Sequence, residues 1–416
     1  MAGPSETNLH LLALPPEIRE HIYRLILHPE ANRTQLPDEY TTYSYAKALV
    51  LFRINRQIYH EAHKVFYHLN SFVRIETPWP QSKEHVMAEG HVPIITQDAL
   101  AKRFENYSLL AGIDAPQYTL HEADLECFVI HVDDLPKFTK SWFYADLSHP
   151  TLNPHLRLNL RLHDPFASTK GEGGESQQEP HIPHHLQRKL LLPWSDIRNL
   201  GQMTITGTPT ADPKLASELK TAQSQPLPSP EECLRESTRL KREGNAELQA
   251  GRYASALAFY KQAWQAIHIT IHGRARHVHG DAFFELRLHE HPYEGKFGQA
   301  ERLVLRVQLV ANTCLAHLKL EDYDECLFWG MRTITTLRDG MGLDSDDDVG
   351  AHEEAVPGFP AAAEMGKVYW RTALAWKAKD EKMEARRLAR VAMVYLPNPG
   401  DQRALEQLLR DCMLRI

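Results

Sequence analysis

The chain has little of what most function classes require. Its five cysteines show no paired spacing, which argues against a disulfide framework and fits a reducing compartment. No apolar run approaches the roughly 20 residues of a membrane span, and Met1 to Glu6 lack the charged-then-apolar build of a secretory leader. A cytoplasmic or nuclear protein without a membrane segment is expected. Basic charge is not in excess: the formal net charge is −7, which favours neither nucleic acid nor an anionic membrane as partner. There is no glycine-rich phosphate loop, no nucleophile with partners and no metal-ligand spacing. His60, Glu61 and His63 come nearest, one residue short of the spacing that presents two imidazoles to one metal. His181, His184 and His185 are expected to be loop histidines. No catalytic residue, metal or cofactor is therefore expected, and the protein reads as a non-enzyme.

What is present is a chain of 416 residues, 43% apolar, enough for two or three domains with real cores. The texture is mixed. A helical region covers 1–90, a small α/β region continuing the same N-terminal domain covers 91–207, a proline-rich connector 208–230 and a helical-repeat region 231–416. The connector carries Pro209, Pro213, Pro226, Pro228 and Pro230. The fold class expected is an α+β N-terminal domain followed by an all-α repeat domain with a capping helix.

The repeats are carried by small and aromatic residues at helical spacing. The first has Leu240, Gly244, Asn245, Gly251, Tyr253, Ala256, Tyr260 and Ala263. Small residues let two antiparallel helices approach, Gly251 ends the first of them, and the tyrosines fill the space between. A second copy has Val310, Asn312, Cys314, Leu318, Tyr323, Cys326 and Leu327. A third has Lys367, Tyr369, Arg371, Ala373, Trp376, Ala385, Ala389, Ala392 and Pro397. Copies two and three place Glu321 and Asp380 where a turn glycine is usual. After Pro397, the residues Ala404, Leu405, Leu408, Leu409, Cys412 and Met413 form one apolar face backed by charge. That is the cap a stack of helix pairs needs to close its last open face.

Lys241 and Asn245 are four residues apart, as are Lys367 and Arg371, so each pair shares a helical face. With Asn312 they supply three cations and two amides on the first helices of the pairs. In a stack those helices line the concave side. This is chemistry suited to an acidic peptide held by its terminal carboxylate, each charge-assisted bond contributing about 1.5–3 kcal/mol.

From about Pro230 onward the chain resembles the carboxylate-clamp tetratricopeptide domains of cochaperones, whose repeat period is about 34 residues. Their clamp pattern is Lys-x-x-x-Asn, then Asn, then Lys-x-x-x-Arg, matched here at Lys241, Asn245, Asn312, Lys367 and Arg371. The resemblance implies binding of the acidic C-terminal tail of heat-shock chaperones, without choosing a chaperone class. A generic scaffold recognising some other partner stays open. Asn245 to Asn312 is 67 residues and Asn312 to Arg371 is 59, so extra chain must leave the stack twice. The first excursion, about 269–298, is rich in histidine. The second, 339–360, is acidic, with Asp344 to Asp348 around Ser345. It is a candidate competitor for the basic groove and a candidate site for an acid-directed kinase.

In the N-terminal region, Leu14-Pro-Pro-Glu-Ile18 begins a helix with an apolar face at Ile18, Ile22, Leu25 and Ile26. A second run has Leu51, Phe52, Ile54, Ile58, Ala62, Val65, Phe66 and Leu69. The two runs, with Asn55 to Tyr67 and then Asn70 and Phe72, resemble the fungal F-box-like proteins. That resemblance implies contact with the Skp adaptor of a cullin ubiquitin ligase through Leu14, Pro15, Ile18 and Ile22. The alternative is that these helices only complete a core. Beyond them, Cys127–Val132, Leu156–His163 and Met203–Gly207 read as strands, the second by strict alternation of leucine with polar residues. Leu190–Trp194 and Ile197 form an apolar patch, and Lys170–Pro180 reads as a flexible loop.

Overall fold

The computed structural model describes residues 11–36, 40–117, 125–167, 179–340 and 359–413. These form two compact units, the first reaching Pro226 and the second beginning at Leu227, apart from the hairpin tip His272–Ala275.

In the first unit, α1 (Pro16–Leu27) is followed by a short ribbon of β1 (Arg33–Gln35) and β2 (Thr41–Tyr43), then α2 (Arg56–Leu69). Next come β3 (Phe72–Thr77), α3 (Ser82–Ala88), β4 (Ile94–Gln97), α4 (Asp98–Lys102), β5 (Leu109–Asp114) and β6 (Glu126–His131). The unit ends with α5 (Leu135–Ser148), β7 (Arg157–His163), α6 (His184–Leu191), β8 (Gln202–Thr208) and α7 (Pro213–Ser224). Six strands form one sheet in the order β4-β6-β3-β5-β7-β8. The pairs β3/β5 and β7/β8 are parallel and the others antiparallel. Alternation decides the faces. Val73, Ile75, Phe128, Ile130, Leu158, Leu160 and Leu162 enter one core with Leu190, Leu191 and Trp194. Phe72, Cys127 and Val129 enter a second core, formed with α1 and α2. Arg157, Asn159 and Arg161 stay exposed.

Three sequence expectations need correction here. β3 lies inside the expected helical region 1–90 yet pairs with strands from 91–207, so that region is not helical throughout. The expected connector 208–230 contains α7, whose Leu215 and Leu219 are buried in the sheet core. Prolines at its edges act as helix start and chain exit rather than as a spacer. His184 and His185 sit in the first turn of α6, not in a loop. The expected loop at 170–180 falls almost wholly outside the described residues.

The apolar periodicity of α1 also misplaces its inner face. Arg19, Tyr23 and Leu27 are the buried residues, while Ile18 is 49% and Leu25 62% exposed. Arg19 turns inward because Glu61 of α2 meets it with both oxygens, at 2.9 and 2.6 Å, and the third guanidinium nitrogen donates to Leu14 O at 2.6 Å. Tyr23 Oη donates to the Glu61 carboxylate at 3.0 Å. These bonds, led by the Arg19 guanidinium, hold the Glu61 carboxyl down at about 2. Asn70 ends α2 by donating to Leu27 O and Phe66 O and accepting from Tyr45 Oη. In the second apolar run Ile58, Ala62, Val65 and Phe66 are buried, but Ile54 is 53% exposed because α2 starts only at Arg56, capped by Asn55.

The second unit is a row of helical hairpins. The first pair is α8 (Pro230–Gln249) with α9 (Tyr253–Ala266). An insert follows, with β9 (Ile269–His272), β10 (Ala275–Val278) and α10 (Asp281–Phe284). The second pair is α11 (Gly298–Lys319) with α12 (Tyr323–Gly340), the third α13 (Ala362–Ala378) with α14 (Lys382–Tyr395), and α15 (Pro399–Asp411) closes the row. Helix α8 starts where Ser229 and Glu232 cap each other reciprocally and Pro230 opens the first turn. Gly244 is required where it stands, since an added Cβ would lie 2.5 Å from the Tyr260 ring of α9. In α15, Leu405, Leu408 and Cys412 are buried, whereas Ala404 and Met413, expected on the same face, are exposed. The acidic segment around Ser345 lies outside the described residues.

The three hairpin turns are built alike. Gly251, Glu321 and Asp380 all adopt positive φ, at 77°, 59° and 64°. Each donates its N–H three residues back, to Leu248, Leu318 and Lys377, and the next residue donates five back, to Glu247, His317 and Trp376. Glu321 and Asp380 thus keep the turn despite their side chains, since the helix-end bonds compensate the left-handed backbone. Nothing lies within 4 Å of a Cβ at Gly251. Gly251→Ala should therefore cost about 1–2 kcal/mol from backbone conformation alone, while Asp380→Gly should cost nothing. Urea unfolding of both variants measures this, and an unchanged Gly251→Ala midpoint would contradict the role given to the turn.

Candidate functional site

The first helices of the three pairs, α8, α11 and α13, lie in sequence, α11 packing on both neighbours. Lys241 and Asn245 are one turn apart on α8, and Gln308 and Asn312 one turn apart on α11. The two rows meet in register. Asn312 Nδ2 donates to Asn245 Oδ1 at 2.8 Å, and the Lys241 ammonium donates to Gln308 Oε1. The Tyr260 hydroxyl, from α9 behind, donates to the same Asn245 oxygen at 2.9 Å. With its oxygen so engaged, Asn245 retains its amide N–H donors, as Asn312 retains one and Lys241 two. The result is a cluster of donors uncommitted among the described residues.

Helix α13 adds Arg371 and Lys367. Arg371 Nη1 donates to Ala311 O, the carbonyl just before Asn312. The guanidinium is deeply placed, and burial pulls its pKa down, with the nearby thiols of Cys314 and Cys326 and the Tyr260 hydroxyl opposing that fall. Burial in turn pushes the Tyr260 hydroxyl up to about 12, Arg371 opposing. Arg371 thus has one donor already committed. It braces α13 against α11 through a main-chain acceptor, and its remaining donors stay within electrostatic reach of Tyr260. Lys367 is half-buried one turn earlier on α13 and makes no hydrogen bond or ion pair among the described residues.

Burial also lowers the Lys241 pKa, partly countered by Glu364 of α13 and reinforced by Arg242. Asn245 and Asn312 are therefore directly joined, Lys241 reaches the same helix through Gln308, and Arg371 bonds the carbonyl of Ala311 beside Asn312. No contact ties Lys367 to the other four. Gln308, half-buried on α11 and bonded to Lys241, is a site residue that the sequence pattern did not single out. Its position four residues before Asn312 is the signal that would have found it.

Among the first unit's expected contact residues, Pro15 and Ile18 are exposed and Leu14 and Ile22 half-buried, on an outer face shared with Leu25 and Ile26. His184 Nε2 lies 3.7 Å from Asp212. Among the described residues no group of three His, Cys, Asp or Glu side chains is placed to hold a metal, and no helix is long and apolar enough to cross a membrane. No protein-family model, no curated protein and no solved structure matches the chain.

The two α13 cations should separate by readout. Arg371→Ala removes a charge-assisted brace and should lower stability by about 1.5–3 kcal/mol, whereas Lys367→Ala should leave the thermal midpoint of the full chain unchanged. Equal midpoints for both variants would remove the bracing role.

Proposed function

We propose that the second unit is a tetratricopeptide carboxylate clamp that holds the acidic C-terminal tail of heat-shock chaperones, and that the chain acts as an adaptor. The observation that carries this reading is the direct Asn245–Asn312 bond beside Lys241, which gathers donors from two successive hairpins around one point. A terminal carboxylate accepts from a lysine and two amides, and desolvation strengthens each such bond over its value in water. Acidic side chains of the same tail pair with Lys367 and with the outer donors of Arg371. A few such bonds suffice for micromolar affinity, about −8 kcal/mol. The alternative, a scaffold for an internal segment of some other partner, predicts indifference to the peptide's end.

A second reading concerns the first unit, which we infer to be F-box-like. Its support is the exposed apolar row Ile18, Leu25 and Ile26 on α1, with Pro15 ahead of it, where an inward Arg19 has displaced the apolar residues outward. That row is suited to docking the Skp adaptor of a cullin ligase, which would couple chaperone-held clients to ubiquitination.

Calorimetric titration of the full chain with a peptide ending in Glu-Glu-Val-Asp should give micromolar affinity, reduced at least tenfold when the peptide is amidated or Lys241 is changed to Ala. Equal affinity for the free and amidated ends excludes carboxylate recognition. Bound carboxylate raises the Lys241 pKa above its burial-lowered value. Affinity should then hold on the acidic side of that value and fall as pH rises through it, earlier than for an ordinary lysine. For the first unit, Ile18→Asp should abolish binding of purified Skp adaptor while leaving peptide affinity intact. An unsubstituted chain that binds no Skp adaptor ends that second reading.

A further inference from the structure

The six-stranded sheet of the first unit ends in two unlike edges. At one edge, β4 is four residues long, its register with β6 slips between Ile94 and Thr96, and α4 and β2 pack beside it. Short length, irregularity and cover are the usual means by which an edge strand is kept from pairing. At the other edge, β8 has none of them. It runs from Gln202 to Thr208 without a charge or a proline and pairs in unbroken register with β7. Among the described residues no strand pairs with its outer side.

The main-chain bonds decide which groups that side presents. Gln202 N donates to Leu156 O, and Thr208 O accepts from Asp164 N, so both residues turn their main chain toward β7. This direction alternates along a strand. Thr204 and Thr206 therefore also bond β7, and the N–H and C=O groups of Met203 and Ile205 point outward. Both of these side chains are half-buried on the core face. Beyond them Gly207, at φ 117°, ends the regular stretch. Met203 also lines a cleft of about 380 Å³ with Ile197, Leu200 and Pro226. Arg198 lines it too, and its Nε is buried without a hydrogen-bond partner.

The other face of this edge is polar and positive. Arg157 and Arg161 of β7 are exposed and make no hydrogen bond or ion pair among the described residues. Arg157 stands beside Asp114 of β5. Arg161 stands between Leu110 and Thr206, with no acidic residue in either register.

We propose that the free edge of β8 docks an acidic extended segment of a partner protein, which joins the sheet as a further strand. The main-chain groups of Met203 and Ile205 supply the pairing, and alternate side chains supply the choice of partner. A residue opposite Met203 shares its face and lies toward the cleft, which suits an apolar side chain. Its neighbours lie on the polar face, where Arg161 reaches over the short Thr206 to meet an acidic one. The added strand lies about 10 Å from β7, twice the strand spacing, which arginine and glutamate side chains span together. A second copy pairing through its own β8 brings no acidic residue to Arg161, since that strand has none.

Fluorescence anisotropy with the full chain and a short end-blocked peptide of alternating Glu and Val tests this. The blocked ends keep a terminal carboxylate out of the groove of the second unit. Saturable binding at one peptide per chain is expected, weakened about fivefold by Arg161→Glu and unchanged by Lys241→Ala. A peptide with Lys in place of Glu should show the reverse preference between the unsubstituted and Arg161→Glu chains. Two N-methylated peptides, one methylated at every Val and the other at every Glu, report on the pairing itself. Amides of alternate residues point to opposite sides of a strand, so one of these peptides should bind and the other should not. Absence of saturable binding by the unsubstituted chain overturns the proposal, and so does equal binding of the two methylated peptides. Met203→Pro removes an outward N–H that β7 does not use and should weaken binding about tenfold. Should that variant fail to fold, the methylated peptides decide. A chain that sediments as a dimer and becomes a monomer with Met203→Pro assigns the edge to a second copy and also overturns the proposal.

Discussion

The second unit depends on one backbone conformation used three times. Gly251, Glu321 and Asp380 each turn left-handed at the end of a first helix, and each is followed by the same pair of bonds back into that helix. Because the turn is common, the return helices leave at one angle and the pairs stack with their first helices side by side. That placement, rather than any strong bond between side chains, brings Asn245 within 2.8 Å of Asn312. A left-handed residue other than glycine is tolerated there because the helix end supplies carbonyls that would otherwise lack donors. The constraint is therefore met by the backbone, and the side chain at the turn is free to be Gly, Glu or Asp.

Desolvation then separates the cations by what each has left to offer. A partly buried cation needs hydrogen bonds to remain charged at little cost. Arg371 meets that need with Ala311 O, Lys241 with Gln308, and Arg302 with the carbonyls of Ile267 and His279 and with Asp281. Arg302 has engaged all three of its guanidinium nitrogens and is structural. Lys241 has spent one of three, so the same burial that lowers its pKa makes it a strong partner for an incoming anion. Arg276 has a buried donor still unmatched. The inventory of donors, more than exposure or charge, distinguishes a brace from a binding residue in this molecule.

Much of this was legible in the sequence and some was not, for reasons that differ from residue to residue. Strand β7 was plain because one face is core and the other water, so leucines alternate with polar residues. Strand β3 was hidden because it is central, flanked by β5 and β6, and carries Phe72, Val73 and Ile75 toward two different cores. The inner face of α1 was misplaced because an arginine, normally a surface residue, is drawn in by Glu61 42 positions later. Helix α7 was taken for a connector because its bounding prolines mark both helix starts and chain exits, and only burial of Leu215 and Leu219 decides between them. Of the groove residues, Asn245 and Asn312 bond each other, while Lys241 bonds Gln308. The engagement of Arg371 with a main-chain carbonyl could not be foreseen, since every residue presents such a carbonyl and sequence does not rank them.

The insert between the first two pairs shows why a period can lengthen without disturbing a groove. Its ends, at Ile267 and Gly298, are brought to one place by Arg302, whose guanidinium binds Ile267 O before the insert and His279 O and Asp281 within it. Glu231 of α8 accepts from His289 N at 2.9 Å, and Arg235 pairs with Glu290 at 2.6 Å, so the outer part of the insert is fixed to the first helix. Gly298 then starts α11 against Phe284 O, which an added Cβ would approach to 2.5 Å. With both ends fixed, added residues change the length of chain between the pairs but not where α11 begins. The same anchoring places β10 where Trp264 receives Arg276. The segment that breaks the repeat period is thus also the one that lays Arg276 over the first pair.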